Sequence, residues 1–180
     1  MMLSAKSVLE ELKACHVTFC VGLADTALAA LTTIIENDPS VRFVPVTREG
    51  EAFALASGLW IGGQNAVISV QNTGLLESGD ALRGTAQRMR VPVLCLITYR
   101  GYSNVRGRKT HAPSEPRDPD EFSKPDLDSA ALVTEPTLKA WGVPFEFLDS
   151  DADLSKIRQS FNRAQRESRP VALLVTSNMG

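Results

Sequence analysis

Six short apolar runs divide this chain, and the residues between them follow a helical period. The runs are His16 to Val21, Val41 to Val46, Asn65 to Val70, Val93 to Thr98, Val143 to Leu148 and Pro170 to Thr176. Each has the length of a buried strand. Ser4 caps a first helix through Ala14, with Val8, Leu9 and Leu12 along one face. Gly22 to Thr26 reads as a strand-to-helix turn, and Asp25 or Thr26 caps the helix that runs through Ile35. Asn37-Asp38-Pro39-Ser40 breaks the chain before the second strand. Further helical segments are expected over Glu49 to Gly63, Glu77 to Arg88, Pro136 to Trp141 and Ala152 to Glu167. Apolar strands separated by helices predict an α/β fold: a doubly wound, mainly parallel six-stranded sheet with helices on both faces. No repeat or second domain interrupts it, so residues 1–180 are expected to form one domain. In open parallel sheets ligands gather beyond the carboxyl ends of the strands. Asp25 is therefore a cap by default and a site residue by position. His16, at the entrance of the first strand, reads as structural.

Two stretches depart from this regular pattern. After Val46 the chain reads Thr47-Arg48-Glu49-Gly50-Glu51, and from Ala52 to Gly63 seven of twelve residues are Ala, Ser or Gly. Acidic residues in the first turn suit the positive end of the helix dipole. A helix with so many small residues lets another backbone approach closely. The second stretch, Tyr99 to Ser129, is rich in charge and carries Pro113, Pro116, Pro119 and Pro125. A loop of about thirty residues exceeds the length at which loops are usually functional or disordered, and this one is expected to close over substrate as catalytic lids do. His111 alone in it has a near-neutral ordinary pKa, which makes it the loop's proton-transfer candidate.

Composition narrows the classes. A net charge of −2 offers no general attraction to nucleic acid or anionic membrane. No apolar run approaches the ~18 residues of a bilayer span, and the first thirteen residues mix Lys6, Glu10, Glu11 and Lys13 with apolar positions, a helix and not a signal peptide. Cys15, Cys20 and Cys95 show no CxxC spacing, which argues against structural zinc; a reducing cytoplasm is the simplest compartment. Neither GxxxxGK[ST] nor GxGxxG opens a helix.

The run from Glu49 to Gly58, followed by a strand and then Gln71-Asn72-Thr73-Gly74-Leu75, resembles the pyrimidine-binding (PYR) domain of thiamine diphosphate enzymes. There a Glu at a strand end opens a helix with a Gly nine residues later, and a polar-Thr/Ser-Gly turn follows the next strand. Within that superfamily the chain resembles the separate alpha subunit of sulfopyruvate decarboxylase and the matching half of phosphonopyruvate decarboxylase. The resemblance implies that Glu49 hydrogen-bonds N1′ of the cofactor's aminopyrimidine, with Glu51 as the fallback two residues on. It makes Thr73 and Gly74 the neighbouring wall, with Gln71 and Asn72 beside them. It places Asp25 and Thr26 in the substrate pocket, although Ala24 stands where relatives usually carry Pro. Tyr99-Arg100-Gly101 matches the family's strand end ahead of a mobile segment, so Arg100, with Arg106, Arg108 and Lys109, is a candidate for meeting an anionic substrate tail.

The chain departs from its relatives after Gly74, where Leu76-Glu77 replaces Gly-Asn. It also lacks the Gly-Asp-Gly and Asn-Asn residues that hold diphosphate and Mg²⁺ in the family. No metal ligand is assigned to this chain. The resemblance thus implies one subunit of a decarboxylase of a small 2-oxo acid, binding thiamine diphosphate together with a separate PP-domain (beta) subunit that holds Mg²⁺, and forming homo-oligomers through PYR domains. A non-catalytic scaffold or regulatory relative and an unrelated flavodoxin-like binding module are the alternatives.

Overall fold

The computed structural model describes residues 3–107 and 117–180. Its six strands are β1 (Phe19–Gly22), β2 (Arg42–Pro45), β3 (Ala66–Gln71), β4 (Leu94–Thr98), β5 (Phe145–Leu148) and β6 (Val171–Val175). All pair in parallel, in the order β2-β1-β3-β4-β6-β5. The helices are α1 (Ala5–Ala14), α2 (Ala29–Glu36), α3 (Glu49–Ile61), α4 (Asn72–Glu77), α5 (Gly79–Ala81), α6 (Tyr102–Val105), α7 (Ser129–Ala140) and α8 (Ser155–Glu167). Because side chains alternate along a strand, Val67, Leu94, Leu96 and Leu173 join the core shared with α1, α2 and α8. Ile68, Cys95, Ile97 and Leu174 face the opposite core, with Phe53 and Ala56 of α3 and Leu138 of α7. The doubly wound expectation holds.

From β1 the chain first winds outward to β2, then returns across β1 to β3 and continues the other way. The winding therefore reverses between β1 and β3, and the crevice at that reversal is where open parallel sheets bind ligands.

Several local expectations change. His16 has φ 56° and sits in the turn after α1, so β1 starts only at Phe19. Gln71 closes β3 and Asn72 already belongs to α4, so the expected turn there is the first turn of a helix. The helix expected over Glu77 to Arg88 is interrupted at Ser78 and widens into a π-turn at Leu82–Gln87. Helix α7 begins at Ser129, one turn and more before Pro136, because Asp128 accepts hydrogen bonds from the Ala130 and Ala131 amides and so caps it. Pro136 is buried inside that helix and does not open it. The described parts of the Tyr99–Ser129 stretch contain α6 and a 3-10 turn, Pro119–Ser123. Arg108, Lys109 and His111 lie outside the described residues.

Candidate functional site

A cleft of about 370 Å³ opens at the carboxyl ends of β1, β3, β4 and β6. Asp25, Gln71, Thr98, Arg100, Tyr102 and Thr176 are among its walls. Asp25 is fixed from three directions. Its Oδ1 accepts the Ala27 amide at 2.9 Å, the cap that turns the chain into the following helix. Its Oδ2 accepts from Gln71 Nε2 at 3.3 Å and from the Thr98 hydroxyl. Gln71 in turn accepts from Thr73 Oγ1 at 2.9 Å. One hydrogen-bonded row therefore joins the ends of β1, β3 and β4 across the reversal of the sheet. Asn72, fully buried, donates to the Arg100 carbonyl and to Thr134 Oγ1, both at 3.1 Å, and ties the end of β4 and α7 to the start of α4.

Glu49 stands on the other side of the same α4 turn. It is the first residue of α3, half-buried, and among the described residues its carboxylate accepts no hydrogen bond. Gly74 lies directly against it: a Cβ on Gly74 would sit 2.2 Å from Glu49 Cγ and 2.4 Å from Oε1. Only a residue without a side chain leaves the Glu49 carboxylate where it is. Gly74, which the resemblance makes the neighbouring wall, thus touches Glu49 in the fold.

Glu51 has the opposite fate. Its carboxylate accepts the Thr47 amide at 2.9 Å, the Thr47 hydroxyl at 3.0 Å and the Arg48 amide at 3.3 Å. These bonds, the Thr47 amide foremost, hold its carboxyl below the usual carboxylate range. Orphan amides at the start of a helix need such acceptors, so Glu51 is engaged in holding α3. Glu77, one of the departures after Gly74, does related work: it pairs with Arg48 and accepts the Gly50 amide at 3.2 Å. The Arg48 side chain holds the Glu77 carboxyl below its usual range.

The structure brings Asp25, Thr26, Gln71 and Arg100 into one cleft. Glu49 and Gly74 touch each other outside the lining of that cleft, with Asn72 and Thr73 in the turn between. Thr98, Asp128 and the Thr176-Ser177-Asn178 segment also shape the cleft or its rim. The sequence signal for the last was a run of polar residues beyond the carboxyl end of an apolar strand.

Residues 2–122 match the family described as thiamine pyrophosphate enzyme, N-terminal TPP binding domain. The chain belongs to this family. It is similar to phosphonopyruvate decarboxylase of Streptomyces viridochromogenes, 31% identical over 110 residues that make up 61% of this chain and 28% of the relative. It is similar also to sulfopyruvate decarboxylase subunit alpha of Methanothermobacter thermautotrophicus, 30% identical over 98 residues, 54% of this chain and 59% of that subunit. The chain therefore spans well under two thirds of either relative. The crystal structure of benzoylformate decarboxylase from Polynucleobacter necessarius superposes on 98% of the chain and 30% of its own with a TM-score of 0.66 at 17% identity, a likeness of fold. Among the described residues no helix is long and apolar enough to cross a membrane.

Proposed function

We propose that the chain is the PYR-domain subunit of a thiamine diphosphate-dependent decarboxylase acting on a small 2-oxo acid with a sulfonate or phosphonate tail. The observation that carries this reading is the contact of Gly74 with Glu49. It sets a carboxylate that accepts no hydrogen bond among the described residues one turn of chain from a polar cleft. The residues present fit the aminopyrimidine: a carboxyl to exchange a proton with N1′, and a glycine backbone beside it that a flat ring can approach. When bound, the cofactor supplies the electron sink for loss of CO₂. Glu49 would hold and move the proton at N1′, since a general acid–base group must lie within hydrogen-bond reach of the atom it serves. Asp25 and Thr26 would bound the substrate, Arg100 would meet its charged tail, and His111 is the proton-transfer candidate of the segment that follows β4.

The partner belongs to the same proposal. Helix α3, which Glu49 opens, turns Leu55, Trp60 and Ile61 outward, 39%, 39% and 66% exposed. A Cβ on Gly58 would meet nothing within 4 Å, so its outer side is open to another backbone. A PP-domain subunit that covers Glu49 and holds diphosphate through Mg²⁺ would complete the site, with PYR domains associating in a cytoplasmic homo-oligomer. Calorimetry tests it. The chain alone should bind thiamine diphosphate weakly and without Mg²⁺ dependence, and the PP-domain subunit should make binding tight, Mg²⁺-dependent and productive of CO₂. Tight Mg²⁺-dependent binding by the chain alone would overturn the split site.

A further inference from the structure

Arg100 is held from more sides than an exposed arginine ordinarily is. Its carbonyl accepts from the buried Asn72 side chain at 3.1 Å. Its Nε donates to Asp128 Oδ2 at 2.7 Å. The next residue, Gly101, has φ 78°, and a Cβ there would lie 2.3 Å from Asp128 Cβ. Left-handed backbone and this close approach both require glycine. Asp128 is itself immobilised, because its Oδ1 caps α7 through the Ala130 and Ala131 amides at 3.0 and 3.3 Å. One carboxylate thus divides its two oxygens, one fixing a helix and the other fixing a guanidinium. Its side chain is 17% exposed while that of Arg100 is 58% exposed, so the arginine reaches out from a buried anchor. Nε is engaged, and among the described residues neither Nη donates to a partner. That leaves the outer edge of the guanidinium, the edge suited to paired oxygens of an anion, unengaged among the described residues on a residue that lines the cleft.

We infer that Asp128 is a positioning residue that aims Arg100 and so makes the cleft select 2-oxo acids with an anionic tail over those with a neutral one. The inference rests on the function proposed above and adds the residue that sets its specificity. Without the anchor, a long side chain with free rotation must be ordered by each ligand, which weakens binding. Asp25 provides the counterweight. Its negative charge in the same cleft disfavours an anion that Arg100 does not meet.

The test is ligand binding to the chain itself, since every named residue of the cleft is its own. Phosphonoacetate and sulfoacetate serve as charged-tail probes and propionate as the neutral control. Asp128→Asn keeps the helix cap, because asparagine caps as well as aspartate, but its one acceptor oxygen cannot serve both the α7 amides and Arg100 Nε. We expect the variant to unfold at nearly the wild-type temperature, to bind the charged probes about five- to tenfold more weakly and to bind propionate unchanged. The Arg100 Nε–H resonance should also move toward that of a free arginine. Asp128→Ser, another capping residue, should behave alike. If Arg100→Ala loses the charged probes while Asp128→Asn and Asp128→Ser bind them as the wild type does, the positioning role is wrong and the charged-tail reading stands. If the wild type binds the charged probes no better than propionate, the charged-tail reading and this inference fall together.

Discussion

The two halves of the candidate site are built differently. The cleft between β1 and β4 is enclosed by this chain's own residues, and its carboxylate, Asp25, has three donors. Glu49, on the far side of the same α4 turn, is half-buried against Gly74, and its carboxylate has none among the described residues. Two residues on, Glu51 shows that the region does not lack donors: the amides of Thr47 and Arg48 were available and Glu51 took them. A carboxylate that accepts no hydrogen bond among the described residues, beside a neighbour that is fully engaged, is the one the proposed function assigns to the cofactor. In the proposed function the first half recognises substrate and the second is completed by the partner subunit.

The largest expected effect contrasts the two glutamates. Glu49→Gln should lower turnover of the reconstituted enzyme by roughly 10²-fold or more, the scale of a lost acid–base group, and leave the thermal midpoint nearly unchanged. Glu51→Gln should do the reverse, keeping turnover within a few-fold while the midpoint falls by about 2–4 °C. If turnover followed Glu51 and not Glu49, the assignment of the two glutamates would be inverted.

Next comes Gly74→Ala. The added methyl collides with Glu49 Cγ, but Glu49 is a half-exposed side chain that can rotate away. Stability should therefore change little, while affinity for thiamine diphosphate in the assembled enzyme falls about tenfold, as for the loss of one hydrogen bond. Unchanged affinity, read by titration calorimetry, would show that Glu49 is not held by this contact.

The smallest effect is in pH. Glu51 and Glu77 have carboxyls held below their usual 4.5 by the Thr47 amide and by Arg48, respectively. Asp38, bonded to Ser40 and Lys13, is lowered to about 2. Groups lowered by folding add stability above their unfolded value and lose it as pH falls through the folded value. Burial pushes the Cys20 and Cys95 thiols from 9.0 up to about 12. Their contribution is whole below pH 9 and declines above it. Chemical denaturation across pH should accordingly give a plateau between about pH 5 and 8.5 with a fall on both sides. Erosion beginning near neutrality would contradict these environments.

Most of the sheet was legible because the runs of β1, β3, β4 and β6 are buried almost throughout and need no partner pattern to be seen. The contact of Gly74 with Glu49 was written in no spacing of the sequence; only the family resemblance set the two side by side. Helix α7 was misplaced because Pro136 resembles a helix start, whereas the true start is Asp128, whose capping role was hidden within a charged stretch. Thr98 was overlooked as the last residue of an apolar run. Its chemistry arises only when parallel pairing sets the end of β4 beside that of β3, with Asp25 across the crevice. Residues far apart in sequence become neighbours by register, which local pattern does not encode.

The π-turn at Leu82–Gln87 has a consequence for ancestry. Its wide step, seen in the Arg88 amide bonding to the Arg83 carbonyl at 3.1 Å, accommodates one residue more than an α-turn would. Leu82 and Ala86 both face the core across it. Three α-helical steps also come roughly full circle, so a chain lacking Gly84 could keep both residues inward. Gly84 itself would meet nothing with a Cβ. The segment could thus lose one residue beside α3 without moving either core residue, and homologues one residue shorter here should carry a plain α-helix.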